Sequence, residues 1–225
     1  MARETTASLT ASVVDASNRA YGERDGGQEI MRAMFKPVLI ALLTLGLSAC
    51  VTSAPPDTFE ISAPPLVPNV AGRTRAQILI PEPTAIKTLD SEKIVVKPTP
   101  YSVEYLANSQ WSDRLPRMVQ LRLLQAFENS GRVGAVGVPG QGLAIDYQLV
   151  MEVRKFEINA ASAARATIEI SVKALNDRNG SVVRTRVFGT EVPVAGTTNA
   201  DYVAALDRAF DKISGEIVSW TLALI

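Results

Sequence analysis

The chain contains no histidine and a single cysteine, Cys50. The first absence removes every histidine-based catalytic triad and, with so little thiol, the usual zinc sites built from cysteine and histidine. The second removes any intramolecular disulfide, whatever the redox state of the compartment. Net charge is missing as well: 23 Lys+Arg balance 23 Asp+Glu, five of each fall in the first fifty residues, and the remaining 18 of each still cancel. No long-range field therefore favours DNA, RNA or an anionic membrane, and no nucleic-acid partner is expected. The uncharged apolar run at residues 37–47 is about half of the roughly 20 residues a membrane-spanning helix needs.

That run is nevertheless the most informative stretch of the chain. Lys36, helped by Arg32, precedes it, and the small residues Ser48 and Ala49 lead from it into Cys50. Charge, apolar core and small-residue exit are the parts of an export signal, so residues 34–49 read as a lipoprotein signal peptide. Leu47-Ser48-Ala49-Cys50 resembles the bacterial lipobox, in which the cysteine thiol is diacylated and the preceding peptide bond is then cut. A thiol forms the thioether to diacylglycerol, for which a serine is no equivalent nucleophile. The competing reading of Cys50 is a lone buried cysteine, but its flank favours lipidation. Cys50 then becomes residue one of the mature chain, carrying a covalent diacylglycerol and an N-acyl lipid, with no other cofactor expected. Residues 1–33 show no sustained apolar period and read as a gene-start artefact or a disordered stretch. Translation would then begin at Met31 or Met34, the alternative being a real cytosolic extension.

Residues 50–74 hold the lipidated cysteine and a tether in which Pro55, Pro56, Pro64, Pro65 and Pro68 sit among Ala, Ser and Thr. Within it, the alternation of Phe59 and Ile61 marks a short edge strand. Residues 75–225 are enough for one domain with a respectable core. Strands are expected at 75–80, stopped by Pro81 and Pro83, and at 93–97, closed by Pro98 and Pro100. Residues 101–106 should return as the second arm of a hairpin. A helix follows, starting near Trp111 or, because Pro116 belongs in a first turn, nearer Asp113. Asn108, Ser109 and Ser112 offer N-cap oxygens, and Gly131 suits the left-handed position after the last turn. Trp111, Leu115, Val119, Leu123 and Phe127 recur every four residues as its apolar stripe, with Arg114, Arg117 and Arg122 off the stripe on a solvated face.

Residues 131–142 are rich in glycine but lack the Lys-Ser/Thr of a phosphate loop and the spacing of a dinucleotide fingerprint, so they read as a turn with a short strand. From 143 to 194 the alternation predicts an antiparallel meander, with a phase slip near Lys155-Phe156 that signals a bulge and an Asn179-Gly180 turn. Tyr202, Leu206, Phe210, Ile213, Ile217 and Trp220 then follow the 3.6-residue period of a helix over 199–224. The fold class is α+β: an antiparallel sheet with two main helices packed on one face. Asp113, Asp146, Glu152, Glu157 and Glu169 lie on separate elements, so no catalytic residues are assigned and no enzyme is expected.

The lipobox, the Pro-rich tether, residues 90–97, residues 105–116 and 121–131, Tyr147 with 156–158, and 204–206 with 217–220 together resemble the ABC-type transport auxiliary lipoproteins. The resemblance implies a non-catalytic periplasmic lipoprotein beside an MCE-type (mammalian cell entry) lipid transporter, with an MCE-domain protein, a permease and an ATPase as partners. It leaves a homo-oligomer open. Val51 rather than aspartate after the cysteine favours the periplasmic face of the outer membrane. The same resemblance leaves a lipid pocket between sheet and helices open, against filling of that space by Trp111, Phe127, Phe210 and Trp220. A structural or assembly lipoprotein is the alternative.

Overall fold

Residues 55–63 and 72–225 are described by a computed structural model. The expectations for residues 1–33, for the signal peptide, for Leu47, Ser48, Ala49 and Cys50, and for Pro64, Pro65 and Pro68 lie outside the described residues. Among the described residues nine strands and two helices follow one another. They are β1 (Asp57–Phe59), β2 (Gln77–Leu79), β3 (Thr84–Ala85), β4 (Lys93–Lys97), β5 (Glu104–Trp111), α1 (Leu115–Ser130), β6 (Ala135–Gly137), β7 (Tyr147–Asn159), β8 (Arg165–Asn176), β9 (Val182–Pro193) and α2 (Asn199–Leu224).

Strict alternation builds the longest strand. In β7, Leu149, Met151 and Val153 are buried while Val150, Glu152 and Arg154 face solvent. The register slips between Val153 and Lys155, and the extra residue returns Phe156 and Ile158 to the dry side. β8 pairs antiparallel with β7 along its whole length, and β9 pairs antiparallel with β8. The meander and its bulge are therefore as the alternation predicts.

The sheet as a whole is mixed, which corrects the antiparallel expectation. β2, β3 and β4 each lie parallel to β7, β1 lies parallel to β5, and β2 lies parallel to β6. The chain path supplies the reason. β4 and β5 form an antiparallel hairpin, but the chain then crosses over through α1 and re-enters at β7 on the other side of β4. β5 runs against β4 and the connection through α1 reverses the direction again, so β7 runs with β4. Alternation reports which side of a strand is dry and is silent about which way its neighbour runs.

β5 also ends later than expected, at Trp111, which the four-residue spacing had drawn into the helix. Trp111 is buried at the strand end, opposite Phe59 of β1. The helix begins at Leu115 with Pro116 in its first turn; its N-cap residue is Arg114, without a side-chain cap bond. Asn108 and Ser109 are spent within β5, and Ser112 Oγ turns towards Met118 Sδ at 3.7 Å. Gly131 takes the left-handed conformation, φ 61°, and donates its N–H to the Glu128 carbonyl. Glycine is needed again at Gly134, where a Cβ would collide with the Arg75 carbonyl. The glycine-rich stretch thus serves the close approach of β6 to β2, as a turn and a short strand.

α2 starts at a capping box in which the Thr198 side chain accepts from Asp201 N–H while the Asp201 carboxylate accepts from Thr198 N–H. Both helices bury their stripes in one cluster with the sheet. At its centre Phe156 meets Trp111 edge-on at 5.9 Å and Phe210 at 6.2 Å between ring centroids. Trp111, Phe127 and Phe210 are buried, and Trp220, half-buried, stands edge-on against Phe188 at 5.6 Å. Side chains occupy the space between sheet and helices at the four positions expected to fill it.

Candidate functional site

The five carboxylates of separate elements stay largely apart. Asp113 accepts the N–H of Arg114 at 2.6 Å beside α1. Asp146, just before β7, accepts the Gln77 N–H at 2.9 Å and Arg178 Nη2 at 2.6 Å. The Gln77 amide, followed by the Arg178 side chain, holds its pKa below the usual carboxylate range. Only Glu152 and Glu169 are brought together, through Arg154, whose Nε lies 2.9 Å from Glu152 and whose Nη1 lies 4.0 Å from Glu169. Lys155 Nζ completes that group 3.1 Å from Glu169. Among the described residues no cluster of three or more Asp, Glu or Cys is placed to hold a metal ion.

The arginines of α1 are each engaged on the helix surface. Arg114 pairs with Asp90 and, at 3.0 Å, with Glu82. Arg117 donates to Gln120 Oε1 at 2.6 Å, and Arg122 reaches Glu60 at 3.1 Å and Gln125 at 2.9 Å. Arg122 and Glu60 also rim a solvent-open cleft of about 400 Å³ whose apolar lining is Met118, Leu121 and Leu124.

The wet face of the sheet carries a more organised arrangement. Register places Tyr105, Val95, Glu157, Thr167 and Glu191 in one row across β5, β4, β7, β8 and β9. Lys97, Asn159 and Arg165 form the row on one side of it, and Lys155 and Glu169 lie on the other. Glu157 is therefore a carboxylate set among cations, with Lys97 Nζ at 4.0 Å. Neighbours nevertheless bury it, and burial raises its pKa against the opposing pull of Lys97 and Lys155. Thr167 Oγ1 beside it is buried without a hydrogen-bond partner.

At one margin of this face the β4–β5 turn presents Tyr101, which is 98% exposed. Thr99 Oγ1 accepts the N–H groups of Tyr101 and Ser102 and meets Ser102 Oγ at 2.7 Å, so the turn is internally braced. Val103 and Tyr105 continue the exposed apolar strip, and Lys93 Nζ stands 5.5 Å from the centroid of the Tyr105 ring. Neither Tyr101 nor the β9 margin was singled out by sequence reasoning. Alternation shows that each strand has a wet side, but only the strand order assembles those sides into one surface.

Comparison with known proteins gives this body relatives. Residues 59–218 match the family described as ABC-type transport auxiliary lipoprotein component. An uncharacterized protein of Bradyrhizobium diazoefficiens is 31% identical over 168 residues, which are 75% of this chain and 45% of that protein. The chain thus spans less than half the length of that relative. The crystal structure of a Xanthomonas campestris protein of the DUF330 family is 31% identical with a TM-score of 0.68, covering 74% of this chain and 95% of that one. A second crystal structure, of an uncharacterized protein, is 15% identical with a TM-score of 0.60 over 75% of this chain and 99% of its own, a likeness of fold.

Proposed function

The chain belongs to the family of ABC-type transport auxiliary lipoprotein components, and on that premise we propose that it serves a lipid transporter of the MCE type as a non-catalytic envelope subunit. The match of the family model to nearly the whole described body is the observation that carries this reading. Acylation of Cys50 anchors the chain at the periplasmic face of the outer membrane. The folded body then docks on the MCE-domain protein and its permease and ATPase, and holds the conduit near the membrane that receives or gives up phospholipid.

The body is suited to a positioning role. Its interior is filled by Trp111, Phe127, Phe156 and Phe210, and its wet sheet face presents ion pairs rather than a converging reactive pair. The test is affinity purification of the tagged full chain from detergent-solubilised envelopes that contain an MCE system, with Cys50→Ala alongside. Recovery of MCE and permease subunits, and release of the variant from the membrane fraction, are the expected results. Recovery of outer-membrane assembly proteins in their place would overturn the transporter reading in favour of a structural or assembly lipoprotein.

A further inference from the structure

The two margins of the sheet are finished differently. At the β5 margin, β1 covers Ser109, Gln110 and Trp111. Just beyond, the Ala107 carbonyl accepts Asn199 Nδ2 at 2.9 Å, and Asn108, at φ 53°, sits where the register of β5 slips against β4. At the opposite margin β9 runs for 12 residues and pairs with β8 alone among the described residues. An edge strand directs about half its N–H and C=O groups away from its neighbour, so roughly six residues of β9 offer unpaired backbone. Native edges are usually closed by shortness, by proline, by a bulge or by a cover. In β9 the only proline is its last residue, Pro193, and the one register slip, at Val183 opposite Ala174 and Leu175, lies at its first end, which leaves residues 184–192 in continuous register.

Side chains on this edge carry a pattern. Arg184 and Arg186 lie opposite Ala174 and Val172 and so share the helix-side face of the sheet, while Val187 lies opposite Ser171 on the wet face. Both arginines are exposed, and neither makes an ion pair among the described residues. The Arg186 guanidinium rests 4.7 Å from the centroid of the Phe188 ring, which holds it at the margin. Val182, Val183 and Val187 are 53%, 41% and 47% exposed.

We propose that β9 is a docking edge for an extended segment of a different protein, which adds one strand to the sheet. That segment alternates acidic and apolar residues. Side chains two apart in a strand share a face, so its acidic residues stand beside Arg184 and Arg186 while its apolar residues pack beside Val187. Charge complementarity argues against a second copy of β9 in this place. Coplanar pairing joins like faces, and the helix-side residues of β9 are Arg184, Arg186, Phe188, Thr190 and Val192, with no carboxylate among them. Backbone bonds supply affinity in such strand addition and the alternating side chains supply choice of partner.

The experiment uses the full chain in detergent and two blocked ten-residue peptides, one alternating valine with glutamate and one alternating valine with lysine. Affinity is measured by calorimetry, and the contact is mapped by hydrogen exchange. The acidic peptide should bind at least ten-fold more tightly than the basic one and slow exchange at least ten-fold within residues 182–193. R184E/R186E should reverse the ranking, and Arg184→Glu alone, which leaves the Arg186 stack in place, should narrow it. Val187→Lys should weaken binding of the acidic peptide from the wet face. Absence of binding, protection elsewhere in the chain or an unchanged ranking in R184E/R186E would overturn the proposal. So would concentration-dependent self-association that protects β9 without peptide, which would give the edge to a second copy.

Discussion

Gln120 of α1 donates its side-chain amide to the Ile80 carbonyl at 2.8 Å, in surroundings that leave the glutamine 1% exposed. The bond joins the middle of a helix to the chain just after β2, where the ladder has ended and Pro81 follows. Gln120→Ala should cost about 1–3 kcal/mol, because it strands a buried carbonyl rather than merely removing a contact. Urea denaturation at neutral pH measures the loss, and a midpoint equal to that of the parent would show that water replaces the amide.

Phe156 is the ring shared by Trp111 and Phe210. Phe156→Ala should lower stability by about 3–5 kcal/mol, since it opens a cavity between sheet and helices that both neighbours line. Near-ultraviolet circular dichroism should report a loosened Trp111. A variant with unchanged stability would mean that α2 settles into the space.

Glu157 gives a pH signature whose sign follows from its burial. Its folded pKa lies above that of the unfolded chain, so protonation favours the folded state. The contribution is fully present below the unfolded pKa and is lost as pH rises through the folded pKa. Glu157→Gln should therefore stabilise the protein at neutral pH, and the gain should vanish in acid. Destabilisation by the same change at neutral pH would show that the pairing with Lys97 and Lys155 outweighs burial.

The capping box at α2 has the opposite dependence. The Thr198 hydroxyl, followed by the Thr198 N–H, holds the Asp201 pKa below the ordinary range. Its contribution is present above the unfolded pKa and fades as pH falls through the folded one. Asp201→Asn should accordingly be weaker than the parent at neutral pH and indistinguishable from it in strong acid. Thr198→Ala should cost about 1 kcal/mol at neutral pH, and thermal melts at the two pH values separate these outcomes.

Much of this structure is legible one element at a time. The α2 boundaries, the β7 bulge, the Gly131 cap and the β7–β8–β9 meander follow from period, propensity and turn chemistry. What is not legible depends on neighbours. Trp111 fits a helix stripe and a strand end equally well, because both positions face the same core. The parallel pairing of β4 with β7 is decided by where α1 carries the chain, which no local pattern encodes. The same holds for the surfaces: Arg184 and Arg186 read as ordinary solvated residues until β9 is known to be the last strand. Val182, Val183 and Val187 acquire meaning for the same reason.

The parallel registers have a consequence for the order in which the chain can mature. Ile78 pairs with Tyr147 and Val95 with Glu157, so β2 and β4 meet their common neighbour only after it has been made, more than sixty residues later in each case. A chain exported N-terminus first delivers the apolar segments around Ile78, Ile80, Ile94 and Val95 well before β7 arrives to receive them. Contacts so distant in sequence are slow to close and leave strand edges waiting. The C-terminal meander and α2, by contrast, are contiguous and pair at short range. The first half of the domain thus emerges as a set of orphans, and the last third is the template on which it becomes a sheet.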